Sequence, residues 1–294
     1  MTTPLRILAS TDLSAPSRHA MDRAFRLAAE TGAQLTLMHA VQQSAIEALQ
    51  KLLGQDAAEV VERIRTQAHE ALSQLAADLG QACGISAAIH LAAGNVPHAI
   101  VEYADTIDAD LLVVGAQGEG FLRHLLLGTT ASRLLRLTRR PILLVRQAPH
   151  ESYRRILVPV DFSPASVAAL RLVRALAPQA HIVLLHAFEA PFEGKLAYAG
   201  VSKEVISHYR SSMRLEALQQ LRSLTATAGL APEEATLLAL HGDASQHILE
   251  QEQEQDCDLI VMGKHGADMI EDFLLGSITK HVLLSSQGDV LVTA

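Results

Sequence analysis

The chain has no tryptophan, and Phe, Tyr and Trp together make up only 3% of its 294 residues. Any core must therefore be filled by Ala, Leu, Val and Ile, and a hydrophobic content of 49% supplies them. There are two cysteines, Cys83 and Cys257, with no C-x-x-C pair, which argues against a disulfide framework or a thiolate zinc site. Basic runs are missing and the formal net charge is -8. No nucleic-acid partner is expected on that ground, because a phosphate backbone demands clustered Lys and Arg. No apolar run approaches the roughly 20 residues of a membrane span. The start, Met1 to Arg6, runs into a strand pattern without a long apolar leader segment. The expectation is a cytoplasmic chain with no membrane partner.

Familiar catalytic signatures are missing too. There is no G-x4-G-K-[ST] phosphate loop, no G-x-G-x-x-G after the first strand and no G-x-S-x-G nucleophile elbow. The fourteen histidines are scattered, with no H-E-x-x-H, so no metal site is expected. His39 and His186 occupy matching strand ends and read as hydrogen-bonded structural residues. No catalytic set can be assembled. Fast turnover is not expected, since no base or arginine is placed to orient water as phosphoryl transfer normally needs.

What is present is a duplication. Arg6-Ile-Leu-Ala-Ser-Thr-Asp12-Leu-Ser14 recurs as Arg155-Ile-Leu-Val-Pro-Val-Asp161-Phe-Ser163, Leu35-Thr-Leu-Met-His39-Ala as Ile182-Val-Leu-Leu-His186-Ala, and Gly94-Asn95 as Gly242-Asp243. The most telling pair is Leu111-Leu-Val-Val-Gly115-x2-Gly118-x9-Gly128-Thr129 and Leu259-Ile-Val-Met-Gly263-x2-Gly266-x9-Gly276-Ser277. The period is too long for a solenoid. It implies two domains, 1–149 and 153–294, joined by a short linker.

Each half alternates strand and helix. In the first, strands are expected at Ile7–Ser10, Leu35–Val41, Ser86–Leu91, Leu111–Val114 and Pro141–Val145. Helices are expected at Ser17–Thr31, Ala57–Leu79 with Gly80 as its stop, Pro97–Asp105 and Thr129–Leu137. The fold class is therefore α/β, with parallel sheets covered by helices. The segment Pro191 to Tyr209 is less regular and reads as a flap, over a ligand or merely as a loop. Its first-half counterpart, Gln42 to Asp56, is plainer.

An apolar strand followed by G-x2-G-x9-G-[ST] points to an anion site. Glycines let the backbone turn and approach a ligand closely. A hydroxyl at the next helix start would cap it, and the first-turn N–H groups attract phosphate. In an open parallel sheet the crevice lies at the carboxyl ends of the strands. There Asp12 would face Gly115 and Gly118, and Asp161 would face Gly263 and Gly266. Each Asp has a second reading, as a helix N-cap.

These motifs, together with Asp108-Ala-Asp-Leu-Leu-Val-Val-Gly115, resemble the universal stress protein (UspA) family, and the two fused copies resemble its tandem members of the UspE type. The resemblance covers nearly all of both halves. It implies an adenine-nucleotide alpha-hydrolase-like fold: two open five-stranded sandwiches of strand order 3-2-1-4-5, paired as a pseudo-dimer. It also implies ATP and Mg2+ as ligands and a nucleotide-responsive regulatory role. The binding residues it implies are Asp12, Val41, Val114, Gly115, Gly118, Gly128, Thr129 and Thr130 in the first half. In the second they are Asp161, Met262, Gly263, Gly266, Gly276, Ser277 and Ile278. Val41 would lie near the adenine, and Phe188 takes its place in the second half. The alternative is an interaction module that takes a non-nucleotide ligand or a protein partner, a second copy of the chain included.

Overall fold

The computed structural model describes residues 4–54, 57–117, 127–264 and 275–293. The chain divides into two compact units, Met1–Ser152 and Tyr153–Thr293.

In the first unit the strands are β1 (Arg6–Thr11), β2 (Gln34–Gln42), β3 (Ala88–Gly94), β4 (Leu111–Gly115) and β5 (Ile142–Val145). They are parallel and ordered 3-2-1-4-5. Between them run α1 (Ala15–Thr31), α2 (Gln43–Leu53), α3 (Ala57–Cys83), α4 (Val96–Thr106) and α5 (Thr129–Leu137). Right-handed crossovers explain the layering. From β1 to β3 the chain moves one way along the sheet, so α1 and α3 share a face. From β4 to β5 it moves the other way, so α4 and α5 share the opposite face. Contacts of α1 with α3, and of α4 with α5, follow that division. The middles of the central strands are continuously apolar, as a doubly covered sheet requires: Ile7, Leu8, Ala9, Leu112 and Val113 are fully buried.

The second unit repeats the plan with β6 (Arg155–Pro159), β7 (His181–Phe188), β8 (Ala235–His241), β9 (Leu259–Gly263) and β10 (Asp289–Thr293). The order within it is 8-7-6-9-10, again parallel. Its helices are α6 (Pro164–Leu176), α7 (Glu193–Tyr198), α8 (Lys203–Ala228), α9 (Ala244–Glu254) and α10 (Ser277–Ser285).

Three local expectations need correction. The plain segment after β2 is a helix, α2, entered directly from the strand. The Pro191–Tyr209 flap is mostly helical, because α7 occupies its centre and α8 already begins at Lys203. Gly80 does not end α3. That helix continues to Cys83, and Gly84, at φ +71°, is the residue that leaves it. The Ile85 N–H closes back on the Gly80 carbonyl at 3.1 Å, a Schellman-type end. A Cβ on Gly80 would sit 2.7 Å from the Ile85 carbonyl oxygen, so glycine is there for close approach.

The aspartates that precede β4 and β9 fasten the sheet. Asp110 accepts the Arg6 N–H at 2.8 Å, and Asp258 accepts that of Arg155 at 3.1 Å. Each ties the start of the central strand to its neighbour.

Candidate functional site

The strand order reverses between β1 and β4 in the first unit and between β6 and β9 in the second. Ser10 pairs in register with Val114, so Thr11, Asp12 and Gly115 emerge together at the carboxyl edge. That is where an open parallel sheet leaves a crevice.

The turn after β1 is built from side-chain hydrogen bonds. Asp12 Oδ1 accepts from the Ser14 N–H at 3.0 Å and from its hydroxyl at 2.5 Å. Leu13 stands at φ 65°, an unusual place for a branched residue, and its N–H donates to Thr11 Oγ1 at 2.9 Å. Thr11 Oγ1 also meets Ser17 Oγ at 2.7 Å. Ser14, not Asp12, is the N-cap of α1, accepting the Ser17 N–H. The carboxylate at Asp12 therefore has no capping duty, and the residue is exposed.

The second unit reaches the same turn by other bonds. Phe162 repeats the positive φ, at 61°, and its ring lies 4.3 Å from that of His186. Val160 replaces Thr11, so it offers no hydroxyl. Ser166 instead donates to Asp161 Oδ1 at 3.0 Å, and the Ser163 N–H donates to the same oxygen at 3.0 Å. Burial alone would raise the Asp161 carboxyl, but the hydrogen bonds from Ser163 and Ser166 together hold it below its ordinary range. His39 and His186 do fasten strand ends: each Nδ1 meets the carbonyl of the neighbouring strand, Thr11 at 2.9 Å and Val160 at 2.8 Å.

The first crevice has a volume of about 310 Å³, and Asp12, Val114, Gly115, Gly128, Thr129 and Thr130 all line it. Ser10, Thr11, Ser17, Gln42 and Gln117 add polar groups to the wall, and Ala40, Val96 and Ala131 add apolar ones. Val41 is not among the lining residues. Side chains alternate along a strand, and it is Ala40 and Gln42 that face the crevice. The second crevice, of about 200 Å³, is lined by Asp161, Met262, Gly263 and Ile278, whereas Gly276 and Ser277 do not line it. Phe188 is buried against His241 and leaves Ala187 at the wall. Gly118 and Gly266 lie outside the described residues.

The helix starts differ from expectation in one respect. Gly128 and Gly276 are the N-caps of α5 and α10, and no side chain caps either helix. Thr129 and Ser277 are already the first helical residues, so their hydroxyls sit one position too late to cap. First-turn N–H groups have no intrahelical acceptor, and at α5 they lie beside the crevice wall. Gly115 packs close to its surroundings as well: a Cβ there would stand 3.0 Å from the Gln117 carbonyl oxygen.

Among the described residues no group of three or more His, Cys, Asp or Glu could hold a metal ion. None of the described helices is long and apolar enough to cross a membrane.

Comparison with known proteins now decides the family. The sequence profile of the universal stress protein family matches residues 5–146 and again 152–294. The chain belongs to the universal stress protein family, as a tandem member. A universal stress protein of Mycolicibacterium smegmatis is 27% identical over 306 residues, which covers 99% of this chain and 97% of the relative. Universal stress protein MJ0577 of Methanocaldococcus jannaschii is 26% identical over 152 residues, covering 48% of this chain and 94% of that protein. A crystal structure of a universal stress protein from Archaeoglobus fulgidus superposes with a TM-score of 0.72 at 19% identity, over 98% of this chain and 97% of the other. At that identity the match speaks to the tandem universal stress fold alone.

Proposed function

We propose that the first crevice binds an adenine nucleotide, ATP with Mg2+, and that the chain is a nucleotide-responsive regulator in the cytoplasm. The observation that carries this reading is the convergence of Asp12, Gly115, Gly128 and Thr129 on one cavity. They come from three separate stretches of sequence. The cavity's 310 Å³ falls at the lower end of the roughly 300–1,000 Å³ usual for small-molecule sites.

Each part has a chemical task. The Asp12 carboxylate suits ribose hydroxyls, which it can accept as charge-assisted hydrogen bonds. The first turn of α5, uncapped by any side chain, suits phosphate oxygens. Thr129 and Thr130 add hydroxyl donors beside them. Mg2+ needs only one or two carboxylates when phosphates supply the rest of its shell, so Asp12, the carboxylate among the described lining residues, would suit a cation carried in on the nucleotide as an alternative to the ribose. When bound, Mg2+ would neutralise phosphate charge.

The test is a calorimetric titration of ligand-stripped protein with ATP and Mg2+. The expected result is saturable binding that Thr130→Ile weakens roughly tenfold, by removing a hydroxyl and narrowing the phosphate end. Absence of binding to the unmodified protein would overturn the reading.

A further inference from the structure

We infer that the second crevice is a site for a compact, uncharged apolar ligand of single-ring size, and not a second nucleotide site. This inference does not depend on nucleotide binding in the first unit.

Three paired positions differ in one sense. Ser10 becomes Pro159, Thr11 becomes Val160 and Thr130 becomes Ile278, and all six line their respective crevices. Three hydroxyls are thus replaced by hydrocarbon on the same backbone frame. The one change in the opposite sense, Ala131 to Thr279, adds no free hydroxyl, because Thr279 Oγ1 donates to the Gly263 carbonyl at 3.0 Å. Met262 stands where Val114 stands and brings a flexible thioether that moulds to irregular apolar shapes.

Size and hydrogen-bonding capacity point the same way. The second cavity, about 200 Å³ against 310 Å³, is too small for the usual small-molecule range of roughly 300 Å³ and above. An apolar cavity of about 150 Å³ is known to accept a benzene ring, so one ring or a branched group of similar bulk fits here. Pro159 has no N–H to offer a ligand, and Ile278, which is 40% exposed and lines the crevice, has a side chain that cannot donate to phosphate. Asp161 lines this crevice as Asp12 lines the first, so the hydrocarbon wall, and not the carboxylate, separates the two sites.

The experiment uses the full chain labelled with 13C at its methionine methyls, with indole as the probe. Among the described residues Met262 is the methionine that lines the second crevice, and a Met262→Leu variant assigns its signal. Saturable movement of the Met262 methyl with indole, and none with ATP and Mg2+, is the expected result. Ile278→Thr, at an exposed position, and its combination with Val160→Thr should weaken indole progressively, to roughly tenfold in the double variant. Three results would overturn the inference: a Met262 methyl unmoved by indole up to its solubility, saturable movement with ATP and Mg2+, or undiminished indole binding in the double variant. A Thr130 methyl probe in the first crevice reports nucleotide there separately, so failure of nucleotide binding is not mistaken for failure here.

Discussion

Replacing Thr11 by valine makes the first unit imitate the second at the turn that positions its carboxylate, and the cost can be worked out. Thr11 is 4% exposed. Its hydroxyl oxygen accepts from the Leu13 N–H at 2.9 Å and meets Ser17 Oγ at 2.7 Å. Valine deletes both bonds and leaves the Leu13 N–H without that acceptor, in a residue already at φ 65°. Leaving a fully buried donor unsatisfied costs about 1–3 kcal/mol; the Leu13 N–H is half-buried, which puts its share toward the lower end, and the lost Thr11–Ser17 bond adds to it. The extra methyl recovers about 0.8 kcal/mol at most. Ser17 keeps its bond to the Ser14 carbonyl at 2.9 Å, which limits the damage. The net expectation is a destabilisation of about 1–2 kcal/mol, or roughly 2–8 °C in the melting temperature of a unit this size. Calorimetric unfolding of the Thr11→Val chain reads it directly. In the same variant the turn that carries Asp12 loses one of its supports, and nucleotide affinity should fall with it. Unchanged or raised stability would refute the reasoning, because the turn would then be held by backbone preference alone.

Two further expectations are independent of that turn. Gly80→Ala should destabilise the protein, measured by urea unfolding, although alanine in a helix interior normally gains about 0.5–1 kcal/mol over glycine. Its Cβ would meet backbone at 2.7 Å, and overpacking of that kind costs about 1–3 kcal/mol. Asp161, whose carboxyl is held below its ordinary 3.8, should stabilise the second unit above that pH and lose its contribution as pH falls through the lower folded value. The stability gap between the unmodified chain and Asp161→Asn should therefore be full at neutral pH and close below about pH 4, as read by denaturant titration at each pH.

Much of the fold is legible in the residues because it rests on periodicity. Apolar strands alternate with amphipathic helices, and the whole pattern occurs twice. Elements without such a signal are harder to read. The helix α2 buries only Ile46 and has no side-chain cap, so neither its face nor its start stands out. The end of α3 carries two glycines, and only the packing of Ile85 against Gly80 tells which one stops the helix. At the site, the glycines and Asp12 are visible in the motif because backbone approach demands those residue types. Val41 is different. Counting residues from His39 leads to it, but strand parity gives the crevice to Ala40 and Gln42. The hydroxyl network of Thr11 and Ser17 leaves no trace in spacing at all, since it depends on how the turn folds back on itself.

The contrast between the two crevices gains weight from the features that do not differ. The histidine tie at the strand end is the same in both units, and so is the aspartate that fastens the central strand. Where a fastener does change, an equivalent replaces it. Before β5, Arg140 donates to the Ala109 carbonyl and pairs with Asp105 at 3.1 Å. Before β10, Glu252 accepts from the Gln287 and Gly288 N–H groups at 3.0 Å and 2.7 Å. Both solutions pin the loop that feeds the last strand. At the crevice walls no such equivalence is kept: Pro159, Val160 and Ile278 put hydrocarbon where Ser10, Thr11 and Thr130 present hydroxyls, even though Ser166 takes over the turn-holding duty of Thr11. Differences that merely tolerated drift would spare the walls no more than the fasteners. Here the fasteners keep their bonds and the walls change their chemistry, which is the pattern expected if one frame serves two ligands.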